Sequence, residues 1–270
     1  MNKENFYPLT YLREAEALRC GALTLREHPE INHPWELISG LKGALEKDLK
    51  VIGTKIKGLA HPTAVLYAPE NILIEEGAQI EALAVLDARS GPIYIGANTV
   101  VRPQSYLRGP LYIGPECRIG GEVTHSIFHG YSNKAHYGFI GHSYIGEWVN
   151  LGAGTTNSNL KNTYGTVKMT INGETLDSGE RFLGCLIGDH VKLGIGSLIP
   201  TGAVIGLGAN VFGGGMIAKC VPNFAWGEKG RVDLEKFLAG VKLVMARRGQ
   251  VLTPELAELL VTNFRRQSGV

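Results

Sequence analysis

The stretch IGDHVKLGIGSLIPTGAVIGLGANVFGGGMI, residues 187–217, decides the fold. Its aliphatic positions are Ile187, Leu193, Ile199, Ile205, Val211 and Ile217, six apart throughout. Four residues after each of the first five stand Val191, Ser197, Ala203, Ala209 and Gly215, most of them small. A period of six fits neither the α-helix at about 3.6 nor the coiled coil at about 3.5. It fits short strands that alternate for a few residues and then turn. Three strands and three turns close a triangular coil, with the aliphatic residue pointing inward on each face and the small residue in the corner. Stacked coils pair in parallel about 4.8 Å apart, and each is stable only against its neighbours.

The same period recurs upstream. Ile95, Val101, Leu107, Ile113 and Ile119 form a second run, with Thr99, Ser105, Leu111, Cys117 and Val123 in the small-residue column. Shorter runs are Ile74, Ile80 and Leu86, then Ile145 and Leu151. Glycine follows the aliphatic at Gly96, Gly114, Gly146, Gly152, Gly188, Gly194 and Gly206. The reading is a mainly β, single-stranded parallel β-helix with a short N-terminal segment and a C-terminal helical extension.

Three regions follow. Residues 1–50 are out of register, and Leu37 to Leu49 has an amphipathic helical pattern after the His33-Pro34 turn. Residues 51–222 carry the coils, interrupted by an insert at 156–186. Within the insert, Val167–Ile171 and Glu174–Leu176 flank Asn172-Gly173, a strong hairpin signal. Residues 223–270 form a helical cap: Asp233 to Arg248 is closed by Gly249, and Thr253-Pro254-Glu255 opens a second helix.

Composition agrees with a chain rich in turns. Glycine is 36 of 270 residues, about twice the usual share of roughly 7%. A net charge of +2 argues for neither nucleic acid nor a membrane surface. Residues 193–218 carry no charge and could span a bilayer by length, but their glycines and the repeat explain them better. The four cysteines form no CxxC pair, and a reduced, cytoplasmic setting is the simplest reading.

A solenoid interior needs no histidine, asparagine or lysine, so the polar stretch from Gly120 to Asn162 is informative. It holds His125, His129, His136 and His142. Any of them could act as a base near neutral pH, although a solvated or structural role is commoner for each taken alone. Three histidines gathered across a subunit interface could instead hold zinc. The asparagines of this region, Asn157 and Asn162 above all, read first as surface turn residues. Arg102, Arg108, Lys134, Lys161 and Lys168 are either phosphate ligands or solvated charges.

The block Ser132-Asn133-Lys134-Ala135-His136-Tyr137-Gly138-Phe139-Ile140-Gly141, followed by Ile145-Gly146-Glu147-Trp148-Val149-Asn150-Leu151-Gly152-Ala153-Gly154-Thr155, resembles a known pattern. It is similar to the glucosamine-1-phosphate N-acetyltransferase half of the bifunctional enzymes that make UDP-N-acetylglucosamine. The resemblance covers about residues 60–230 and implies a left-handed β-helix, a homotrimer and acetyl-CoA as cosubstrate, with no metal required. It places the catalytic base at His136. It places substrate contacts at Arg102, Glu122, Lys134, Asn150, Asn159 and Lys168, and backbone contacts to the cofactor at Ala153 and Gly213. Departures are Phe139 and Leu160 for family tyrosines, Thr124 for a lysine and Ile195 for a serine. They resemble a divergent subgroup labelled sugar nucleotidyltransferase-related. The opening Pro8-Leu9-Thr10-Tyr11-Leu12-Arg13 is similar to the start of a nucleotidyltransferase domain in longer members of that subgroup. The phosphate-binding G-x-G-T-R loop of sugar pyrophosphorylases is absent, so nucleotidyl transfer by this chain is not expected. The expectation is acetyl transfer to an amino-sugar phosphate such as glucosamine-1-phosphate, in nucleotide-sugar biosynthesis. The rivals are a non-catalytic sugar-nucleotide-binding or scaffold trimer, a sugar-1-phosphate nucleotidyltransferase-related protein without nucleotidyl activity of its own, and a metalloenzyme of carbonic anhydrase type.

Overall fold

The computed structural model describes residues 2–28 and 30–266. The chain winds into a parallel β-helix of about nine turns with a C-terminal helical part, as the period of six requires. Its coil is of the left-handed kind.

Each turn visits three faces in the same order. Face I is the ten-stranded sheet running from Leu59–Ala60 through Asn133–Lys134 and Asn150–Leu151 to Ala225–Trp226, closed by Gly230–Arg231. Face II includes Tyr106–Arg108, Glu122–Thr124 and Phe139–Gly141, then Thr156–Asn157, Ser197–Ile199 and Gly215–Met216. Face III includes Ile93–Ile95, Leu111–Ile113, Tyr144–Glu147, Cys185–Ile187 and Ala203–Ile205. The long strands Tyr106–Ile113 and Glu122–Gly130 run through a corner, so faces II and III share one sheet there.

Parallel register stacks the aliphatics into interior ladders. On face I, Ile80 pairs with Val101, Val101 with Ile119, Leu151 with Leu193 and Leu193 with Val211. All are buried in one continuous core. Two polar residues occupy interior ladder positions. Lys134 pairs with Ile119 on face I, and Asn157 pairs with Ile199 on face II. Both are buried. The Asn157 reading as a surface turn residue is therefore corrected. Its Oδ1 accepts from the Gly141 amide at 2.8 Å and its Nδ2 donates to the Gly141 carbonyl at 2.9 Å. That exchange supplies the ladder bonds between these coils, which is why a carboxamide is tolerated inside.

The outward side of face III is apolar too. Tyr94, Tyr112, Ile127, Tyr144, Leu186 and Val204 alternate with inward-facing residues and take part in a second hydrophobic cluster. The N-terminal segment supplies Phe6, Leu9, Leu18 and Leu25, and the insert hairpin supplies Val167, Met169 and Ile171. Helices α1 (Pro34–Ser39) and α2 (Leu41–Ile52) belong to this layer. Arg13 fastens the segment to the solenoid, donating to Asp189 and Glu147 at 2.9 Å each. Helices α3 (Leu234–Ala246) and α4 (Pro254–Arg266) pack on the corner between faces III and I, against Trp148, Leu207 and Phe224. They lie along the solenoid's side, and Asn263 of α4 donates to the Tyr11 carbonyl at 3.1 Å.

Candidate active site

The four histidines of residues 125–142 occupy different environments. His125 and His142 sit at the corner of faces II and III, stacked at 4.4 Å. A His125 ring nitrogen lies 2.8 Å from the Ile38 carbonyl, and His142 Nδ1 lies 2.9 Å from Asn159 Nδ2. Burial and its neighbour pull His142 down to about 3. His129 is buried, its Nδ1 2.8 Å from the Tyr144 hydroxyl, and burial holds it far below the usual histidine range. These three are neutral structural groups. His136 alone of the four is exposed, and its imidazole makes no hydrogen bond among the described residues.

His136 stands in the turn from face I to face II. Ala153, Ile195 and Gly213 stack above it at the same corner, and Arg102 lies two coils below in register with Ala135. Close backbone approach defines this edge. A Cβ on Gly120 would come within 2.6 Å of the Ala135 carbonyl oxygen, and one on Gly152 within 2.6 Å of the Gly194 carbonyl carbon. Glycine is therefore required where the coils touch. The Gly154 amide donates to the Tyr137 carbonyl at 3.1 Å, and the Gly196 amide to the Ala153 carbonyl at 2.8 Å. Within the Gly152–Thr155 turn, the Ala153 amide is the one N–H that donates to no carbonyl among the described residues. Ala153 lies at the same corner as His136, one coil above it.

The structure distributes the other expected contacts unevenly. Arg102, His136, Ala153 and Gly213 share the corner. Glu122 flanks it, exposed on face II beside Tyr106 and Phe139. Asn150 flanks it on the other side, exposed on face I, with its Oδ1 3.5 Å from Asn133 Nδ2. Asn159 lies across face II at the far corner, held by His142. A Cβ on Gly141 would touch both the Phe139 ring and Asn159 Nδ2, so Phe139 and Asn159 are neighbours.

Two lysines do not join them. Lys134 is 1% exposed, and its ammonium donates to the Gly120 carbonyl at 2.9 Å and to the His136 carbonyl. Burial lowers it to about 8. It pins the His136 turn from inside the solenoid and cannot reach a ligand outside. Lys134 stands in line with Ile119 and Leu151 only in the folded coil, at separations of 15 (134 − 119) and 17 (151 − 134) residues that break the period. Lys168 lies on the insert hairpin, which folds over face III, away from the His136 corner. Within one chain the insert therefore covers face III and leaves that corner open. The open edge exposes large apolar side chains: Tyr137 at 73%, Ile195 at 72% and Met216 at 69%.

Fold and site together define a hexapeptide-repeat β-helix with one exposed polar corner. The chain is 33% identical over 195 residues to the bifunctional sugar-1-phosphate nucleotidylyltransferase/acetyltransferase of Sulfurisphaera tokodaii, covering 71% of this chain and 46% of that protein. It is 32% identical over 180 residues to the bifunctional protein GlmU of Methanocaldococcus jannaschii, covering 66% of this chain and 41% of the relative. The chain is thus a homologue of these bifunctional proteins and spans less than half their length. No family model matches it. Among solved structures, AntD, an N-acyltransferase from Bacillus cereus in complex with dTDP and 3-hydroxybutyryl-CoA, is 17% identical, with 75% of this chain and 96% of that chain covered. Its TM-score is 0.31, too low to bear on the chemistry of this chain.

Proposed function

We propose that the chain is an acyltransferase that moves an acetyl group from acetyl-CoA to the amine of an amino-sugar phosphate such as glucosamine-1-phosphate. The observation that carries the reading is the corner of faces I and II. It presents an exposed, unengaged imidazole at His136 one coil from an uncommitted amide at Ala153. Homology to the bifunctional acetyltransferases supports the choice of reaction.

The neutral amine attacks the thioester carbonyl, and His136 accepts the proton released as the C–N bond forms. The Ala153 N–H donates to the oxyanion of the tetrahedral intermediate. Collapse breaks the C–S bond, and the imidazolium returns the proton to the departing thiolate. Arg102 is the side chain at this corner suited to a sugar phosphate. Glu122 and Asn150 orient the sugar from the two flanking faces. Asn159 and Lys168 enter this reading only as contacts supplied across a subunit contact, because their own chain turns them toward other surfaces. Gly213 lies two coils above Ala153 and offers bare backbone to the pantetheine arm.

A single chain leaves this edge open, with Tyr137, Ile195 and Met216 in water. A homotrimer in which a neighbour closes the edge fits both the apolar strip and the dispersed contacts. The test incubates the purified protein with acetyl-CoA and glucosamine-1-phosphate and follows free CoA thiol. Release by the wild type and not by His136→Ala supports the transferase and its base. Silence with glucosamine-1-phosphate and a panel of other amino sugars, in intact trimers, overturns the enzymatic reading and leaves a binding or scaffold role.

A further inference from the structure

Helix α3 does not seal against face I. Between them lie two cavities, of about 500 Å³ and about 280 Å³, and Lys192 lines both. The larger is also lined by His190, Asn210, Trp226 and Lys236, and the smaller by Asn133, Asn150, Arg247 and Arg248. Parallel register explains the floor: Asn150, Lys192 and Asn210 are successive outward residues of face I.

Charge in this groove is unbalanced. The Lys192 ammonium makes no hydrogen bond or ion pair among the described residues, and burial pulls it below the usual lysine range. Lys236 and Arg247 are exposed at the same cavities. The acids nearby, Asp233 and Glu116, are outnumbered by Lys192, Lys236, Arg247 and Arg248. Asp233 accepts from the Lys236 amide at 2.9 Å as the cap of α3. Glu116 lies 3.7 Å from Arg118 and 4.0 Å from Arg248. A partly desolvated ammonium without a counter-ion is costly, and an anion seated beside it offsets that cost. Trp226, 49% exposed at the rim, adds a flat apolar surface. The larger cavity falls in the usual range for small-ligand sites of about 300–1,000 Å³.

We propose that the groove between α3 and face I is a binding site for a nucleoside diphosphate, its phosphates on Lys192, Lys236 and Arg247 and its base against Trp226. The asparagine floor supplies donors and acceptors for the ribose. The groove reaches Asn150, whose strand leads directly into the Gly152–Thr155 turn, so a ligand seated there extends toward the His136 corner. Such a diphosphate belongs either to coenzyme A, as an adenosine diphosphate, or to a sugar nucleotide, as a uridine or thymidine diphosphate. The site stands whether or not that corner transfers acyl groups.

The experiment titrates the full-length protein with UDP, ADP, coenzyme A and inorganic pyrophosphate, by calorimetry and tryptophan emission. His136→Ala separates this site from the corner. Binding that changes the emission, persists in His136→Ala and weakens about tenfold or more in Lys192→Met supports the proposal, as loss of one charge-assisted contact predicts. Preference for UDP names the sugar nucleotide as the source, and preference for ADP and coenzyme A names the acyl donor. Lys236→Ala and Arg247→Ala, both at exposed positions, give the same comparison if Lys192→Met does not fold. Absence of binding at millimolar nucleotide, or affinity unchanged in all three variants, overturns the site. Pyrophosphate binding as tightly as both nucleotides overturns the nucleoside.

Discussion

Face III and face II are cut from the same repeat and meet opposite fates. Face III is apolar on both sides. Between the interior aliphatics Ile93 and Ile95 lies Tyr94, and between Leu111 and Ile113 lies Tyr112; these outward side chains are roofed by the N-terminal segment and the insert hairpin. Face II keeps its outward side in water, with Tyr106, Glu122, Leu198 and Met216 exposed. The repeat builds a scaffold, and the outward residues assign each face a task. A face whose outward column is continuously apolar takes a permanent cover. A face with mixed polar and apolar outward residues, next to a corner with an unengaged base, is left for ligands and partners.

Four experiments sharpen or break this contrast. The largest effect is expected at the open corner. His136→Ala should lower acyl transfer about 10²–10⁴-fold, the range for loss of a general base. The melting temperature should hardly move, because the imidazole is exposed and unbonded. A large loss of stability would instead make His136 structural. On the covered face the signature inverts. Phe6 is fully buried in the roof, and Phe6→Ala should cost about 3–5 kcal/mol of stability in a denaturant titration. A cost below about 1 kcal/mol would show that the roof is not part of the folded unit.

Acid should act next, through histidines buried beneath the packed segments. Burial holds His190 at about 3, and His129 well below the usual histidine value. Both are neutral when folded and take up protons near the ordinary pKa of about 6.5 when unfolded. Their contribution is fully present above about pH 6.5 and is lost as the pH falls from there toward 3. Thermal melts across that window should fall steadily, and His190→Phe should flatten the fall. An unchanged slope would show that His190 is not the titrating group. The smallest effect belongs to the open face. Leu198 is exposed and pairs only with backbone neighbours. Leu198→Lys should shift the stability of the isolated chain by less than about 0.5 kcal/mol. In light scattering the same variant should shed subunits if face II is the contact in a trimer, and equal masses for variant and wild type would remove face II from that contact.

Much of this was legible in residue spacing. The runs from Ile187 and Ile95 gave the coil, its three faces and the inward direction of the aliphatics spaced six apart, because a period of six permits no other regular burial. Asn172-Gly173 gave the hairpin, and Asp233 and Pro254 gave the starts of two helices, since these are local backbone preferences. The block around His136 was harder to place. Ile119 and Lys134 are stacked partners although only 15 residues apart (134 − 119), against 18 between Val101 and Ile119 (119 − 101). A shortened coil erases the period there, so spacing alone could not show that Lys134 points inward; Asn157, six residues after Leu151 (157 − 151), does keep the period, and its polar side chain hid that.

From the residues alone came the β-helix, because its period is written locally, and a polar stretch with four histidines; the choice of His136 among them came from the resemblance to the acetyltransferase family. Only the tertiary structure decided that His125, His129 and His142 are structural, that Lys134 pins the turn from inside, and that the hairpin bearing Lys168 roofs face III. It also opened the groove where Lys192 stands without a counter-ion, between a strand and a helix more than 40 residues later in the chain (234 − 193). Whether a side chain is covered depends on what the rest of the chain lays over it, and that contact is made across long separations that no local pattern records.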